Sequence, residues 1–265
     1  MLLRRTLRIT GLLFTCFALI AAAPAPRDVV LSIDGQNLHL AVNGKPGPTV
    51  VFQAGLGNDM STWRLVAPGV AKFARVVMYD RAGLGKSMPL AHPGVPVTAR
   101  DAALSLRRLL RKADLDPPFI LVGHSLGGLY VQMFARLFPS EVAGVVLLDS
   151  SSADAPPELK TRARLEPGSA AYLEEEGIAA SNWQVKDAGP FPDVPVTVIA
   201  ATDHGPFFHP WEGVLMRLQR QLAELSPKAR LVVAQGSGHD IQLDRPALVI
   251  SALRTLVEEA RPAPH

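Results

Sequence analysis

Residues 119–128 read FILVGHSLGG, and this stretch decides the fold. Its first four residues are all apolar, which is typical of a fully buried strand. Residues 129–137, followed by Pro139, have the pattern of a helix that stops at a proline. Ser125 is therefore predicted to stand on a tight strand-to-helix turn, where the flanking glycines let neighbouring backbone approach closely. The dipole of the following helix would favour negative charge beside Ser125.

On both sides of this stretch, apolar segments alternate with helical patterns, which indicates a parallel sheet with crossover helices. The predicted strands are residues 29–33, 38–42, 49–52, 75–79, 119–122, 142–148, 196–200 and 230–234. The predicted helices are residues 63–73, 99–112, 129–137, 211–225 and 246–259. We therefore predict an α/β fold with an eight-stranded, mostly parallel sheet.

The alternation stops between residues 150 and 193, where five prolines punctuate a polar stretch. We interpret residues 150–193 as a short cap segment over the sheet edge, inserted into a core formed by residues 26–149 and 194–262. A solvated excursion without function is the alternative, since long irregular loops occur in both roles. The acidic run 174–176 is predicted to be a solvated helix face.

Residues 1–25 have the layout of a secretory signal, with Arg4, Arg5 and Arg8 before an apolar run of about 15 residues and an Ala-rich end. Such a run is short for a membrane span. However, Pro24 and Pro26 disfavour cleavage, so an uncleaved N-terminal anchor stays open. We expect an exported protein, periplasmic or secreted, with membrane contact only if this segment is retained.

The basic excess of the chain comes from this leader. The whole chain has 27 Lys and Arg against 24 Asp and Glu, and residues 1–25 contain three Arg and no acid, which leaves 24 of each sign. This balance gives no indication of a nucleic-acid partner.

Cys16 is the only cysteine and lies in the leader, so a mature chain would have neither a cysteine nucleophile nor a thiolate metal site.

Four segments resemble motifs of the α/β-hydrolase superfamily, in the order that this family has them. They are residues 53–57 (QAGLG), 79–87 (YDRAGLGKS), 123–127 (GHSLG) and 236–239 (GSGH). The resemblance covers roughly residues 30–260 and implies the α/β-hydrolase fold, with a nucleophilic Ser125. It implies many possible substrates, because one fold serves many reactions. We expect residues 80–87 to form a supporting turn without a chemical role.

Acyl transfer would need two backbone N–H donors for the developing oxyanion. One donor is expected from Leu126, directly after the nucleophile. The resemblance implies the second donor, the backbone N–H of Leu56, in a loop whose glycines allow a close approach.

The general base is predicted to be His239, which follows the last strand in the order Ser, acid, His. Two aspartates compete for the acid. Asp203 follows the strand at 196–200, after which the family usually carries its acid. Counted from Pro195, however, the usual position of that acid falls one residue later, on His204. Asp149 ends the strand at 142–148, from which some family members take their acid. We prefer Asp149 and keep Asp203 as the alternative.

These residues predict a serine hydrolase that cleaves a small carboxylic ester through an acyl-enzyme on Ser125. No metal ion and no organic cofactor is expected. Amidase, thioesterase, lactonase, C–C hydrolase and perhydrolase chemistry remain open, as does a non-catalytic receptor that uses the same pocket. A membrane-tethered lipase is a further alternative. Phe207 and Phe208 are candidate substrate contacts near the site.

Overall fold

Eight strands form one sheet, in a computed structural model that describes residues 26–159 and 164–260. The strands are β1 Arg27–Ile33, β2 Gln36–Gly44, β3 Thr49–Gln53, β4 Arg75–Tyr79, β5 Phe119–His124, β6 Val142–Leu148, β7 Val196–Ala201 and β8 Ala229–Ala234. All eight predicted strands are present, and the fold is the α/β-hydrolase fold that the sequence indicated.

The order of strands across the sheet is β1-β2-β4-β3-β5-β6-β7-β8. β1, β2 and β4 pair antiparallel, and the pairs from β4–β3 to β7–β8 are all parallel. Parallel strands bring their carboxyl ends to one edge, which is where open α/β sheets bind ligands. The ends of β3, β5, β6, β7 and β8 therefore meet at one place.

Nine α-helical segments flank the sheet in the described part of the chain. They are α1 Ala67–Val70, α2 Ala99–Lys112, α3 Leu126–Leu137, α4 Ala170–Glu176, α5 Ile178–Asp187, α6 Gly205–Phe208, α7 Glu212–Leu222, α8 Ile241–Asp244 and α9 Pro246–Glu259.

Alternate residues of the central strands face opposite sides of the sheet. Leu121 and Leu147 belong to the apolar cluster that includes α2 and α3, whereas Ile120 and Val146 belong to the cluster that includes α1 and α9. The core thus has two apolar layers with the sheet between them.

The predicted helix at residues 63–73 is wrong in extent. The chain makes a 3-10 turn at Met60–Trp63 and then only the short α1, with Pro68 in its first turn. Proline has no N–H to donate to the preceding turn of a helix, and its ring clashes with a carbonyl of that turn. One continuous helix therefore cannot form through this position.

The cap segment contains α4 and α5. α5 packs on α2 and α3, and Ser181 on α5 accepts a hydrogen bond from the Ala99 N–H at the start of α2. The predicted segment boundaries remain predictions. Residues 1–25, which the sequence predicts to be a leader, lie outside the described residues. Within the described residues, no helix is both long and apolar enough to cross a membrane.

Candidate active site

Ser125 occupies the sharp turn between β5 and α3, with φ 51° and ψ −124°. Such a conformation is costly for a residue with a Cβ and persists only where the surroundings hold it. Here the Ser125 N–H donates to the Leu148 carbonyl over 3.1 Å, and the Ser125 carbonyl accepts from the Ser151 N–H at 3.0 Å. Ser125 is partly exposed, while its neighbours His124 and Leu126 are buried. The turn therefore presents one side chain to the sheet edge.

Three glycines permit this turn because no side chain would fit at their positions. A Cβ on Gly123 would lie 2.5 Å from Gly128 Cα, and a Cβ on Gly127 would lie 2.3 Å from the Gln53 carbonyl oxygen. A Cβ on Gly128 would meet Ser150 Oγ at 2.0 Å. Two of these contacts are to backbone, which cannot rotate away. The glycines are thus required because the turn at residues 123–128, called the elbow below, closely approaches itself and the end of β3.

The loop after β3 lies against the elbow. A Cβ on Gly55 would be 3.3 Å from Ser125 Cβ and 2.9 Å from His124 Nδ1. Leu126 is the first residue of α3, where N–H groups have no intrahelical acceptor. No hydrogen bond within the described residues uses the Leu56 N–H. The two predicted oxyanion donors therefore lie on segments that meet at Ser125, and their N–H groups are available.

A buried ion pair fixes this loop to the cap segment. The Arg81 guanidinium donates to the carbonyls of Ala54 and Gly55 at 2.7 and 2.6 Å, and to Glu174 Oε2 at 3.0 Å. The same Oε2 accepts the Gly57 N–H at 2.9 Å. Because the Glu174 side chain is only 2% exposed, its predicted place on a solvated helix face is wrong. The charge of Arg81, rather than water, compensates it.

The turn at residues 80–87 that follows β4 is held by the Asp80 carboxylate. It accepts hydrogen bonds from the N–H groups of Met60 and Lys86 at 2.8 and 2.9 Å, and its Oδ2 lies 2.8 Å from His39 Nδ1. The same turn contains Arg81. This geometry fits the supporting role expected of the segment, with Arg81 as the residue that connects it to residues 53–57, the predicted oxyanion loop.

His239 and Asp149 meet at the carboxyl edge of the sheet. The Nδ1–H of His239 donates to Asp149 Oδ2 over 2.6 Å. Asp149 directly follows β6, has φ 38°, and its side chain is 4% exposed, whereas the His239 side chain is 45% exposed. Asp149 Oδ1 also accepts the Ala201 N–H at 3.3 Å. A buried carboxylate thus orients a solvent-accessible imidazole next to the elbow.

Asp203, the alternative acid, has a different environment. Its carboxylate accepts the Gly205 N–H at 3.1 Å, its own N–H donates to the Ser237 carbonyl, and the residue is exposed. This is the arrangement of an aspartate that closes a local turn. Of the two candidates, the structure brings Asp149 to His239.

A comparison with known proteins matches this fold. The family model for the alpha/beta hydrolase fold matches residues 48–174, from β3 to the cap segment. The chain belongs to the α/β-hydrolase superfamily. YqjL of Bacillus subtilis (strain 168) is 28% identical over 232 residues, covering 84% of this chain and 88% of that protein.

Two solved structures show the same fold. The meta-cleavage product hydrolase from Pseudomonas fluorescens IP01 is similar with a TM-score of 0.70 and 15% identity, over 88% of this chain and 98% of that one. The enol-lactonase from Burkholderia xenovorans LB400 has a TM-score of 0.65 and 19% identity, over 87% and 100%. At these identities the two structures show the fold alone, and the match to the alpha/beta hydrolase family model supports a hydrolytic enzyme.

In this α/β-hydrolase, a second histidine also binds Asp149. The His204 Nε2 lies 2.7 Å from Asp149 Oδ2, and its Nδ1 lies 2.9 Å from Glu212 Oε2. Burial lowers the pKa of His204, but hydrogen bonds and charges from Asp149 and Glu212 outweigh it and raise the pKa to about 9. The sequence analysis placed His204 at the position where the family usually carries its acid. It did not reveal the contacts of His204, because no sequence motif connects this residue to Glu212.

The same contacts act on the acid. Burial by itself raises the pKa of Asp149, but the hydrogen bonds from His204 and His239 outweigh burial and hold that pKa well below its usual range. Asp149 is therefore ionised across the physiological pH range, which is the state that an orienting acid needs.

His124 contacts the backbone of His239, the predicted general base. Burial, together with the neighbouring His239, lowers the pKa of His124 to about 4, so its ring is neutral near pH 7. Its Nε2 lies 3.0 Å from the His239 carbonyl oxygen, to which a neutral ring can donate. The side chain thus faces the backbone of His239.

Asp149, His204 and His239 also form a group that could offer ligands to a metal ion, with their ligand atoms all within 4.8 Å of one another. The same atoms already form the two short hydrogen bonds described above, so an ion would have to displace both protons.

Phe207 and Phe208 lie on α6, just after His204, with ring centroids 4.9 Å apart. Their assignment as substrate contacts stays a prediction.

Proposed function

We propose that this α/β-hydrolase is a serine esterase that cleaves small carboxylic esters through an acyl-enzyme on Ser125. The observation that carries the proposal is the 2.6 Å hydrogen bond from His239 to a buried carboxylate, beside a strained serine at a helix N-terminus. This is the constellation in which a serine hydroxyl becomes a nucleophile at neutral pH.

The reaction follows from the roles of these groups. Ser125 Oγ attacks the ester carbonyl while His239 Nε2 accepts its proton, and Asp149 stabilises the resulting imidazolium. The Leu56 and Leu126 N–H groups hold the oxyanion of the tetrahedral intermediate. His239 then gives the proton to the departing alkoxide, which leaves as an alcohol. Water attacks the acyl-enzyme with His239 as base, and the carboxylic acid is released.

Two features favour an ester over other acyl substrates. The candidate substrate contacts, Phe207 and Phe208, have apolar side chains, which suit the acyl chain of an ester. The name of one structural neighbour, an enol-lactonase, also describes cleavage of a cyclic ester. Lactones are therefore the second substrate class to assay.

The test is hydrolysis of p-nitrophenyl acetate and butyrate, together with labelling by a fluorophosphonate probe. We expect Ser125→Ala to lose both activity and labelling, with a fall in kcat of at least about a thousandfold. Ser251→Ala, at an exposed serine on α9, is the matched control and should behave as the parent. A Ser125→Ala variant that keeps its activity, or a parent that takes no label, would contradict the proposal.

We also propose that the protein is exported, either periplasmic or secreted. This proposal is supported only by residues 1–25, with three Arg before an apolar run. N-terminal sequencing of protein from an exporting host tests it. A new N-terminus near residue 24 is expected for cleavage, and an intact Met1 with membrane association would support the anchor instead.

A further inference from the structure

His204 lies at the end of β7 between two carboxylates that come from different elements. Its Nε2 is 2.7 Å from Asp149 Oδ2, at the end of β6, and its Nδ1 is 2.9 Å from Glu212 Oε2, on α7. The backbone N–H of His204 donates to the other oxygen of Glu212 at 2.8 Å. A carboxylate accepts hydrogen bonds, so a ring that serves both carboxylates must donate from both nitrogens. Only the imidazolium can do this.

The surroundings make this charge useful to Asp149. The side chains of His204 and Asp149 are only 6% and 4% exposed, and a buried carboxylate without compensation is costly. His239 is neutral when it waits to accept the serine proton, so it supplies a hydrogen bond to Asp149 but no charge. The imidazolium of His204 supplies that charge at Oδ2, the same Asp149 oxygen that His239 binds, and the pKa of about 9 for His204 agrees with it.

We propose that His204 is a positioning residue, which Glu212 orients and which holds the Asp149 carboxylate ionised and aimed at His239. This inference rests on the proposed function, because it extends the Ser125–His239–Asp149 arrangement by two further residues. The groups that face His204 are Asp149, Glu212 and the His239 ring, whose centroid is 6.2 Å away. Asp203, next to His204 in the chain, is instead bound to the Gly205 N–H.

The protonation state is tested without any substrate. In 15N-histidine-labelled protein at about pH 7.5, roughly one unit above the ordinary histidine pKa, the His204 signals should show both ring nitrogens protonated. His204→Gln provides the assignment by loss of those signals. Only one protonated nitrogen on His204 at this pH would overturn the inference. Because the readout needs no catalysis, it stands even if the esterase proposal fails.

The positioning role is tested by kinetics on p-nitrophenyl butyrate. His204→Ala removes both the hydrogen bond and the charge, and we expect kcat to fall by about tenfold to a hundredfold with little change in KM, because Asp149 loses its fixed orientation. His204→Gln can still donate to Asp149 and should recover most of kcat. His92→Gln, at an exposed histidine in a loop, is the matched control and should behave as the parent.

A pH profile separates positioning from packing. His204→Gln removes the positive charge beside His239, and a nearby positive charge opposes protonation of a second imidazole. We therefore expect the acid limb of kcat/KM to move to higher pH in His204→Gln. Glu212→Gln removes a negative charge and leaves His204 paired with Asp149, so its acid limb should not move to higher pH. An unchanged limb in His204→Gln, or His204→Ala with the parent's kcat, would refute the positioning role. If His204→Ala does not fold, the Gln variants and the parent's spectrum still decide the question.

Discussion

The carboxylate of Glu174 pairs with the guanidinium of Arg81 in the protein interior, with Oε2 3.0 Å from Nη2. Through this pair, α4 of the cap segment is connected to the loop that carries Leu56. α4 also packs closely there, since a Cβ on Gly57 would lie 2.8 Å from Ala171 Cβ and one on Gly83 would lie 2.8 Å from Ala170 Cβ. This part of the cap is therefore built into the candidate active site.

Glu174→Gln should disturb both stability and catalysis. The substitution leaves the Arg81 charge buried without its partner, which typically destabilises a protein by about 3–5 kcal/mol. It also weakens the acceptor for the Gly57 N–H, so the oxyanion loop should loosen and kcat should fall more than KM rises. Thermal unfolding and ester hydrolysis measure the two effects. Glu176→Gln, exposed at the end of the same helix, is the control, and equal effects from the two variants would rule out a special role for Glu174.

Gly127→Ala should damage the elbow. Its new Cβ would lie 2.3 Å from the Gln53 carbonyl oxygen and 2.4 Å from that of Ala54, and overpacking of this kind costs about 1–3 kcal/mol. Since those carbonyls lie at the base of the oxyanion loop, activity should fall even at temperatures where the variant is folded.

Gly213→Ala provides the matched control for that change. Gly213 lies in α7 with no atom within 4 Å of the added Cβ, and alanine favours helix over glycine by up to about 1 kcal/mol. We expect this variant to be as stable as the parent or more so, with normal activity. A Gly127→Ala variant that melts and reacts like Gly213→Ala would show that the elbow tolerates a side chain.

The two aspartates that the sequence left in competition make a direct experiment. Asp149→Asn should lower kcat by about 10⁴-fold, because an amide does not enforce the required tautomer of His239 or stabilise its charged form. Asp203→Asn keeps an oxygen for the Gly205 N–H on the surface, and such changes usually alter stability by no more than about 0.5 kcal/mol. Esterase kinetics and melting curves of both variants decide the question. A larger loss in Asp203→Asn would transfer the acid role to that residue.

The sequence predicted the sheet and the elbow well because their signals are local. Eight apolar segments and a Gly-x-Ser-x-Gly turn can be recognised within short windows, and the structure has all of them. The predicted helix at 63–73 failed because it placed Pro68 in a helix interior, where proline interrupts the backbone, whereas the structure has Pro68 in the first turn of α1, where proline is tolerated.

The remaining details depend on contacts between distant parts of the chain. Asp149 and Asp203 both follow an apolar strand, so pattern alone could not separate them. What separates them is the turn after β6, which has φ 38° at Asp149 and brings its carboxylate to a histidine 90 residues later. Glu174 looked solvated for the same reason, since its partner Arg81 lies 93 residues earlier.

The charge on His204 also predicts how stability depends on pH. Its pKa is about 9 in the folded protein, against about 6.5 for an ordinary, unfolded histidine. Between these values the folded state binds a proton that the unfolded state does not, so stability falls as pH rises through this window. Below about pH 6.5 the contribution is fully present.

Melting curves of the parent and of His204→Gln from about pH 6 to pH 10 test this dependence. The parent should lose more stability than His204→Gln between about pH 6.5 and pH 9, because only the parent has the group that releases its proton in that range. His124 does not interfere, since its lowered pKa of about 4 places its own effect on the acid side, where stability falls as pH drops below about 6.5. Parallel curves for parent and variant would mean that His204 is not an imidazolium in the folded protein, and Asp149 would then depend on His239 and backbone N–H groups alone.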